Sequence, residues 1–156
     1  MEETFAKYIN VNGELMDLSR PQVMGILNVT PDSFYADSRK QAEEDIVNRV
    51  HQIIEEGGRI IDIGAYSSRA DAEDVSPEEE MKRLKHGLQV IQREFPDAIV
   101  SVDTFRADVA RMCVEEYGTA IINDISAGNL DANMFSTVAK LKVPYIMMHM
   151  QGNPQN

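Results

Sequence analysis

Short apolar runs of strand length alternate with amphipathic stretches of helical period along most of this sequence, and this alternation limits the folds available to it. Five runs are rich in aliphatic residues: 23–28, 60–65, 99–104, 120–126 and 145–150. Four stretches between them place apolar residues on one helix face, most clearly Met81, Leu84, Leu88, Ile91 and Phe95. Strand, helix, strand repeated four times predicts an α/β fold with parallel strands and right-handed crossovers.

Two local signals predict where elements turn or begin. The pair Asn12-Gly13 lies between short mixed apolar and polar segments and indicates a small β-hairpin over residues 8–17, because both residues tolerate positive φ. Ser76 before Pro77, with Glu79 three residues after the serine, has the pattern of a capping box and predicts a helix start. We expect the hairpin to precede the main fold.

The residues by themselves leave two architectures open, a complete doubly wound sheet of five strands and the first part of an eight-stranded barrel. The length of 156 residues favours the first, because a full barrel takes about 250 residues. Residues 151–156 favour the second, because they follow a predicted strand and include no helix to cover it.

The net charge of −11 argues against nucleic acid and anionic membranes as the main partner, since 26 acidic residues outnumber 15 basic ones. No apolar run approaches the roughly 20 residues that a membrane span requires. Cys113 is the single cysteine and the first residues lack the pattern of a secretion signal, so the expected location is cytoplasmic.

Unusual polar residues gather at the carboxyl ends of the predicted strands, where parallel α/β folds bind their ligands. Asp103 ends the third strand, and Asn123 lies in the fourth with Ile125 on the same face. A carboxylate beside an amide, over apolar side chains such as Ile125 and Met148, suits a flat heterocycle with paired N–H donors and a carbonyl.

Two loops at the same strand ends suggest an anionic substrate. The amide oxygen of Asn28 is an acceptable ligand for Mg²⁺. Ser67 and Ser68 offer hydroxyls beside Arg69, whose planar guanidinium matches phosphate oxygens.

Other polar or reactive residues have a structural explanation. Asp124 points to the face opposite Asn123, and for Asp124 and Asp62 a role as acceptors of loop N–H groups is as well supported as a role in binding. Cys113 lies on the apolar stripe of its predicted helix, so we expect it to pack in the core.

One long segment and several shorter ones resemble the dihydropteroate synthase family. Residues 24–34, Met-Gly-Ile-Leu-Asn-Val-Thr-Pro-Asp-Ser-Phe, are similar to that family's first signature almost residue for residue. Supporting matches, in the family's order, are 62–64 with 67–69, 101–104, 123–126 and 148–152. The resemblance covers essentially the whole chain. It implies the N-terminal portion of a TIM (β/α)8 barrel, with residues 1–20 as a β-hairpin extension and residues 21–156 as a partial, pterin-binding barrel.

The resemblance also implies an activity and a set of roles. Members of the family are transferases of folate biosynthesis. They condense 6-hydroxymethyl-7,8-dihydropterin pyrophosphate with p-aminobenzoate to give 7,8-dihydropteroate and pyrophosphate. Catalysis would depend on Asp32 beside a pterin methylene cation, Arg69 and Asp103. Asn28 would bind Mg²⁺ and pyrophosphate. The substrate-binding residues implied are Ser68 with Arg69 for phosphate, Asp103, Asn123, Ile125 and Met148 for pterin, and Thr30, Pro31, Phe34 and Ser67 for aminobenzoate.

Two departures from the family pattern modify these expectations. Ala70-Asp71 follows Arg69 where the family usually has Pro-Gly, which adds negative charge near the pyrophosphate and predicts weaker function of this loop. The family's last three strands have no counterpart among these 156 residues, so we expect this chain alone to be inactive and the full-length protein to be a homo-oligomer. Two alternatives stay open: a pterin-binding methyltransferase-type barrel, and a noncatalytic pterin-binding fragment or assembly module.

Overall fold

The computed structural model describes residues 7–29, 36–65 and 75–149, and this part of the chain forms seven strands and four helices. A first pair of strands is β1 (Tyr8–Val11) and β2 (Glu14–Asp17). The main sheet contains β3 (Met24–Asn28), β4 (Ile60–Gly64), β5 (Ile99–Asp103), β6 (Ile121–Asp124) and β7 (Tyr145–Met147). The helices are α1 (Ala36–Glu55), α2 (Pro77–Glu94), α3 (Ala107–Tyr117) and α4 (Met134–Leu141). The predicted strands and helices are confirmed.

The hairpin predicted from Asn12-Gly13 is also confirmed. Strands β1 and β2 pair antiparallel, with Val11 opposite Glu14. Asn12 and Gly13 connect them with φ values of 52° and 84°. Positive φ at both central positions matches the twist of the strands in a two-residue hairpin loop.

The order of the strands decides between the two architectures. All five strands of the main sheet are parallel and lie in sequence order, β3-β4-β5-β6-β7. A doubly wound sheet would require a reversal of strand order at a switch point. Helices α1 to α4 also contact one another in sequence order, as they must when successive right-handed crossovers cover one face of the sheet. The described part of the chain is therefore α/β, with the arrangement of five consecutive strands and four helices of a (β/α)8 barrel.

The main core lies between the sheet and its helices. It contains Leu27, Ile63 and Val102 from the strands, and Val50 and Leu84 from α1 and α2, all at most 3% exposed. Gly87 lets α2 approach the sheet closely, because an added Cβ would lie only 2.7 Å from the Cδ1 atom of Ile63.

Two further sequence predictions are confirmed in this core. Cys113 is fully buried, and its burial raises the pKa of the thiol to about 12, as expected for a packing residue. Ser76 Oγ accepts a hydrogen bond from Glu79 N at 3.2 Å, and Pro77 is the first residue of α2. The serine therefore satisfies one of the N–H groups that a helix start leaves free.

A second apolar cluster closes the opposite face of the sheet at the amino ends of its strands. Val11 and Met16 of the hairpin pack with Ile60, Ala120 and Ile121. The hairpin therefore covers one end of the inner face, and the carboxyl ends of the strands are left to form a site.

Candidate functional site

A row of side chains crosses the inner face of the sheet at the carboxyl ends of its strands. The register pairs Asn28 with Gly64, Gly64 with Asp103, Asp103 with Asn123, and Asn123 with Ile146. Paired residues in neighbouring parallel strands point to the same face, so Asn28, Asp103 and Asn123 share one wall. Asn28 and Asn123, which are 95 positions apart in the sequence, thus lie in one row across the neighbouring strands.

Gly64 leaves space in the middle of this row. A Cβ built at position 64 would lie 3.5 Å from the Cβ of Asp103 and 3.8 Å from its Oδ2. Any larger side chain would stand between Asn28 and Asp103. The glycine therefore keeps the amide and the carboxylate accessible to one ligand.

Asp103 is half-buried and lies in a negative environment. Burial raises the pKa of its carboxyl to about 7, and the neighbouring charges of Asp62, Glu80 and Asp124 act in the same direction. A carboxylate that is costly to ionise gains most from a ligand that donates hydrogen bonds to it. Asp103 is therefore suited to hold N–H donors of a bound molecule.

A second polar layer lies one step deeper on the same face. Asp62 pairs in register with Ser101, and both are buried. The Nδ2 atom of Asn123 donates a hydrogen bond to Oδ2 of Asp62 at 3.1 Å. Burial raises the pKa of Asp62, and hydrogen bonding from Ser101 and Asn123 opposes the shift. Asp62 thus supports the pocket residue Asn123 from below.

Asp124 points to the other face, as the alternation of strand residues predicts. It is fully buried and accepts hydrogen bonds from Ser126 N and Ser126 Oγ, both at 2.8 Å, and from Gly128 N at 2.9 Å. Tyr145 Oη donates a fourth at 2.5 Å. Burial and this carboxylate raise the pKa of Tyr145 above its usual range. The sequence interpretation of Asp124 as an organiser of its loop is confirmed.

Two predicted apolar contacts follow the pocket strands. Ile125, directly after β6, is half-buried, and Met148, directly after β7, is 43% exposed. Met148 N donates to the carbonyl of Asp124 at 3.1 Å, which holds the chain after β7 beside the end of β6. Both side chains keep apolar surface at the end of the sheet that carries Asp103 and Asn123.

The remaining predicted site residues lie outside the described residues: Thr30, Pro31, Asp32, Phe34, Ser67, Ser68 and Arg69.

Glu80 is a carboxylate in the first turn of α2 whose burial was not predicted from the sequence. It is 1% exposed, accepts a hydrogen bond from Thr104 Oγ1 at 2.8 Å, and forms an ion pair with Arg106 Nη1 at 2.8 Å. These contacts tie the start of α2 to the turn that follows Asp103. The signal was present in the sequence, because Glu80 lies four residues before Leu84 on the apolar stripe of the helix.

The residues available for a metal ion are few. Among the described residues, no three His, Cys, Asp or Glu side chains cluster as ligands. Asn28 is exposed at the end of β3. Mg²⁺ is commonly held by one or two protein oxygens together with substrate phosphates and water. A single amide oxygen on an open wall fits this mode of binding.

The fold and the site together define a class of protein: a (β/α)8-barrel type with a carboxylate and an amide on one wall at its strand ends, the end of such barrels at which ligands bind. The chain belongs to the pterin binding enzyme family, whose family model matches residues 24–156.

Relatives with known names agree with this assignment. The chain is 46% identical over 156 residues to the folate synthesis bifunctional protein, mitochondrial, of Pisum sativum. This alignment covers 98% of the chain and 30% of the pea protein. It is 40% identical over 144 residues to the dihydropteroate synthase of Haemophilus influenzae. This alignment covers 92% of the chain and 51% of the bacterial protein. The chain thus spans about half the length of the bacterial synthase.

Solved structures show the same relationship. A dihydropteroate synthase from Vibrio fischeri superposes with a TM-score of 0.76 at 34% identity, over 95% of this chain and 51% of that one. The Xanthomonas albilineans enzyme with 4-aminobenzoic acid superposes with a TM-score of 0.78 at 37% identity, over 95% of this chain and 53% of that one. The Xanthomonas enzyme has also been solved with 7,8-dihydropteroate.

No helix in the described ranges has both the length and the apolar character needed to span a bilayer.

Proposed function

We propose that this chain supplies the pterin-binding part of a dihydropteroate synthase. The reaction would join 6-hydroxymethyl-7,8-dihydropterin pyrophosphate to p-aminobenzoate and release 7,8-dihydropteroate and pyrophosphate. The observation that carries the proposal is the row of Asn28, Asp103 and Asn123 on one wall. Its support from relatives is the family assignment and the synthases of similar fold.

Asp103 and Asn123 would hold the pterin by its edge. The Asp103 carboxylate accepts N–H donors, and the Asn123 amide has both a donor and an acceptor. Ile125 and Met148 would contact the ring faces, because they are the apolar side chains nearest in sequence to the ends of β6 and β7. Recognition of one polar edge and two apolar faces selects a flat bicyclic ring.

The bond change proposed for this family needs no protein nucleophile. The C–O bond between the pterin methylene and the diphosphate breaks, the electron pair leaves with the diphosphate, and the aminobenzoate nitrogen forms the new bond and loses a proton. We propose that Asp32 stabilises the methylene cation and that Ser68 and Arg69 hold the diphosphate, because anions and cations that develop in a transition state are stabilised by fixed opposite charges.

The aminobenzoate would be held by the two segments that follow β3 and β4 in the sequence. We propose Thr30, Pro31, Phe34 and Ser67 as the residues that shape this part of the site. Asn28 would hold Mg²⁺, which when bound supplies positive charge to the diphosphate. Ala70-Asp71 adds a carboxylate beside Arg69, so we expect a weaker hold on the diphosphate than Pro-Gly would give.

Two properties of the whole protein complete the proposal. We propose that the full-length protein is a homo-oligomer and that it works in the cytoplasm. A single cysteine, which can form no internal disulfide, supports the second point.

The test is pyrophosphate release by the full-length gene product. Release is expected only when the pterin substrate and p-aminobenzoate are both present. Asp103→Asn should reduce kcat/KM by about 100-fold or more, since the half-buried carboxylate that accepts the ring N–H groups is replaced by an uncharged amide. Asp108→Asn is the matched control, because Asp108 is 78% exposed on α3 and makes the same charge change. Release without p-aminobenzoate, or equal effects of the two substitutions, would contradict the proposal.

A second function, a pterin-binding module without turnover, is favoured for these 156 residues by their coverage of only half of the bacterial synthases. Calorimetry of this chain with a pterin, with and without Mg²⁺, tests it. Binding without pyrophosphate release supports the module. Turnover by the 156-residue chain would overturn it. A methyltransferase-type barrel predicts methyl transfer and no dependence on p-aminobenzoate.

A further inference from the structure

The polar layer beneath the pocket contains more hydrogen-bonding capacity than the described residues use. Asp62 and Asn123 are each 5% exposed, and Ser101 is fully buried. Oδ1 of Asn123 has no hydrogen-bond partner in the described part of the chain, whereas Ser101 lies close enough to Asp62 to lower the pKa of its carboxyl. Buried polar atoms without partners are rare in folded proteins and call for an explanation.

The hydrogen bond between Asp62 and Asn123 can run in only one direction. An ionised carboxylate can only accept hydrogen bonds, so the bond of 3.1 Å between Asp62 and Asn123 must come from the NH2 group of the amide. The carbonyl end of Asn123 is thereby turned away from Asp62. An amide without such a neighbour could rotate by half a turn and present NH2 where it now presents oxygen.

We propose that Asp62 is a positioning residue that fixes the amide of Asn123 with its oxygen free for a ligand, and so makes the pocket select a ring edge with N–H donors. The proposal rests on the proposed pterin-binding function and goes beyond it, because it names the residue that sets the donor preference. The unpartnered, buried Oδ1 of Asn123 is the second observation that points to a ligand.

Asp62→Asn is the informative substitution. It preserves size and still allows a hydrogen bond with Asn123. An amide at position 62 can accept or donate, so Asn123 is no longer forced into one orientation. The matched control is Ser101→Ala, which removes the other side-chain partner of Asp62 and keeps both the Asp62 carboxylate and the Asn123 amide.

The measurement is the ratio of Kd values for two probes, pterin and lumazine, on the full-length gene product. The two rings differ where pterin carries an amino donor and lumazine a carbonyl acceptor. The wild type and Ser101→Ala are expected to prefer pterin. Asp62→Asn is expected to lower that preference by about 10- to 100-fold, the effect of pairing or leaving unpaired one buried polar group.

A second readout does not depend on any ligand. The side-chain NH2 protons of Asn123, assigned by their loss in Asn123→Ala, should exchange slowly with solvent in the wild type because Asp62 accepts one of them. Exchange as fast as that of exposed asparagines in the wild type would overturn the proposal even where a variant at position 62 does not fold.

The outcomes separate this inference from the proposed function. An unchanged pterin-to-lumazine ratio in Asp62→Asn, with normal pterin binding by the wild type, would overturn the role of Asp62 alone. An equal loss of preference in Ser101→Ala would do the same, because it would show a general effect of the layer. Absence of pterin binding by the wild type would overturn the function and this inference together.

Discussion

Single carboxyl groups in this protein differ because their surroundings differ. Asp124 is fully buried but accepts four hydrogen bonds, and so it is well compensated. Asp103 is less buried but faces other acids, and the pKa of its carboxyl rises to about 7. The same residue type therefore stabilises a loop at one position and has no hydrogen-bond donor among the described residues at the other, where burial raises the pKa of its carboxyl.

The raised pKa of Asp103 predicts a dependence of stability on pH. Its usual value is 3.8, so between about pH 4 and pH 7 the folded state binds the proton more tightly than the unfolded state. This group therefore favours folding at low pH, and its contribution is lost as the pH rises to 7. Asp103→Asn should raise the free energy of unfolding at pH 8, by at most about 4 kcal/mol, since one pKa unit corresponds to about 1.4 kcal/mol.

Urea unfolding of wild type and Asp103→Asn at pH 4, 6 and 8 measures this. The gain should shrink towards zero at pH 4, where the wild-type carboxyl is protonated in the folded state. A difference that is the same at pH 4 and pH 8 would show that packing, and not ionisation, separates the two proteins. If the variant is more stable but binds pterin poorly, then the Asp103 carboxylate lowers the free energy of unfolding and is needed for binding.

Elements position these residues by simple alternation. Strand β6 sends Asn123 to the pocket and Asp124 to the helix side, so one short strand serves the site and the fold. The strand ends at Asp124, two residues before the predicted limit at Ser126, because the Asp124 side chain accepts hydrogen bonds from Ser126 N and Gly128 N and turns the chain. Propensity favoured a longer strand, and a local side-chain bond ended it.

Asp124→Ala should destabilise the connection between β6 and α4 strongly. Four donors lose their acceptor, and buried donors without partners cost about 1–3 kcal/mol each, so we expect a loss of about 3 kcal/mol or more. Tyr145→Phe removes one of the four donors and is the graded control, with an expected loss of about 1 kcal/mol. Urea unfolding of the two variants checks the order. A loss for Tyr145→Phe as large as that for Asp124→Ala would mean that the loop does not depend on the carboxylate.

At the scale of the whole molecule, the five-stranded sheet of the described residues has two edge strands, β3 and β7. Arg49 Nε donates to the carbonyl of Ile26 at 3.0 Å and covers one main-chain group of the β3 edge. Ile26 and Met147 remain 59% and 60% exposed beside these edges. Open edges with apolar side chains are the surfaces on which a sheet recruits further strands.

The 156-residue chain by itself is therefore expected to associate with itself. Met147→Lys should weaken this association, because it places a charge on the β7 edge. Leu15→Lys is the control, since Leu15 is 74% exposed and lies on β2 of the hairpin, outside the five-stranded sheet. Sedimentation velocity over a range of concentrations measures the effect. A monomer at every concentration, with cooperative unfolding, would contradict the prediction.

The amino-acid sequence determined the local features of this protein and its family. Hydrophobic period, the Asn12-Gly13 turn and the Ser76 cap act over a few residues, so they could be predicted without the fold. Alternation along β6 likewise assigned Asn123 and Asp124 to opposite faces. The long match at residues 24–34 identified the family directly.

Only the tertiary structure decided the burial of Glu80 and the hydrogen bond between Asp62 and Asn123, which are 61 residues apart. The same is true of the pKa of Asp103, which reflects burial and the charges of three other carboxylates. The physical reason is that turns, caps and amphipathic faces arise from neighbours along the chain. Desolvation, charge coupling and side-chain pairing depend on which distant segments the folded sheet brings together.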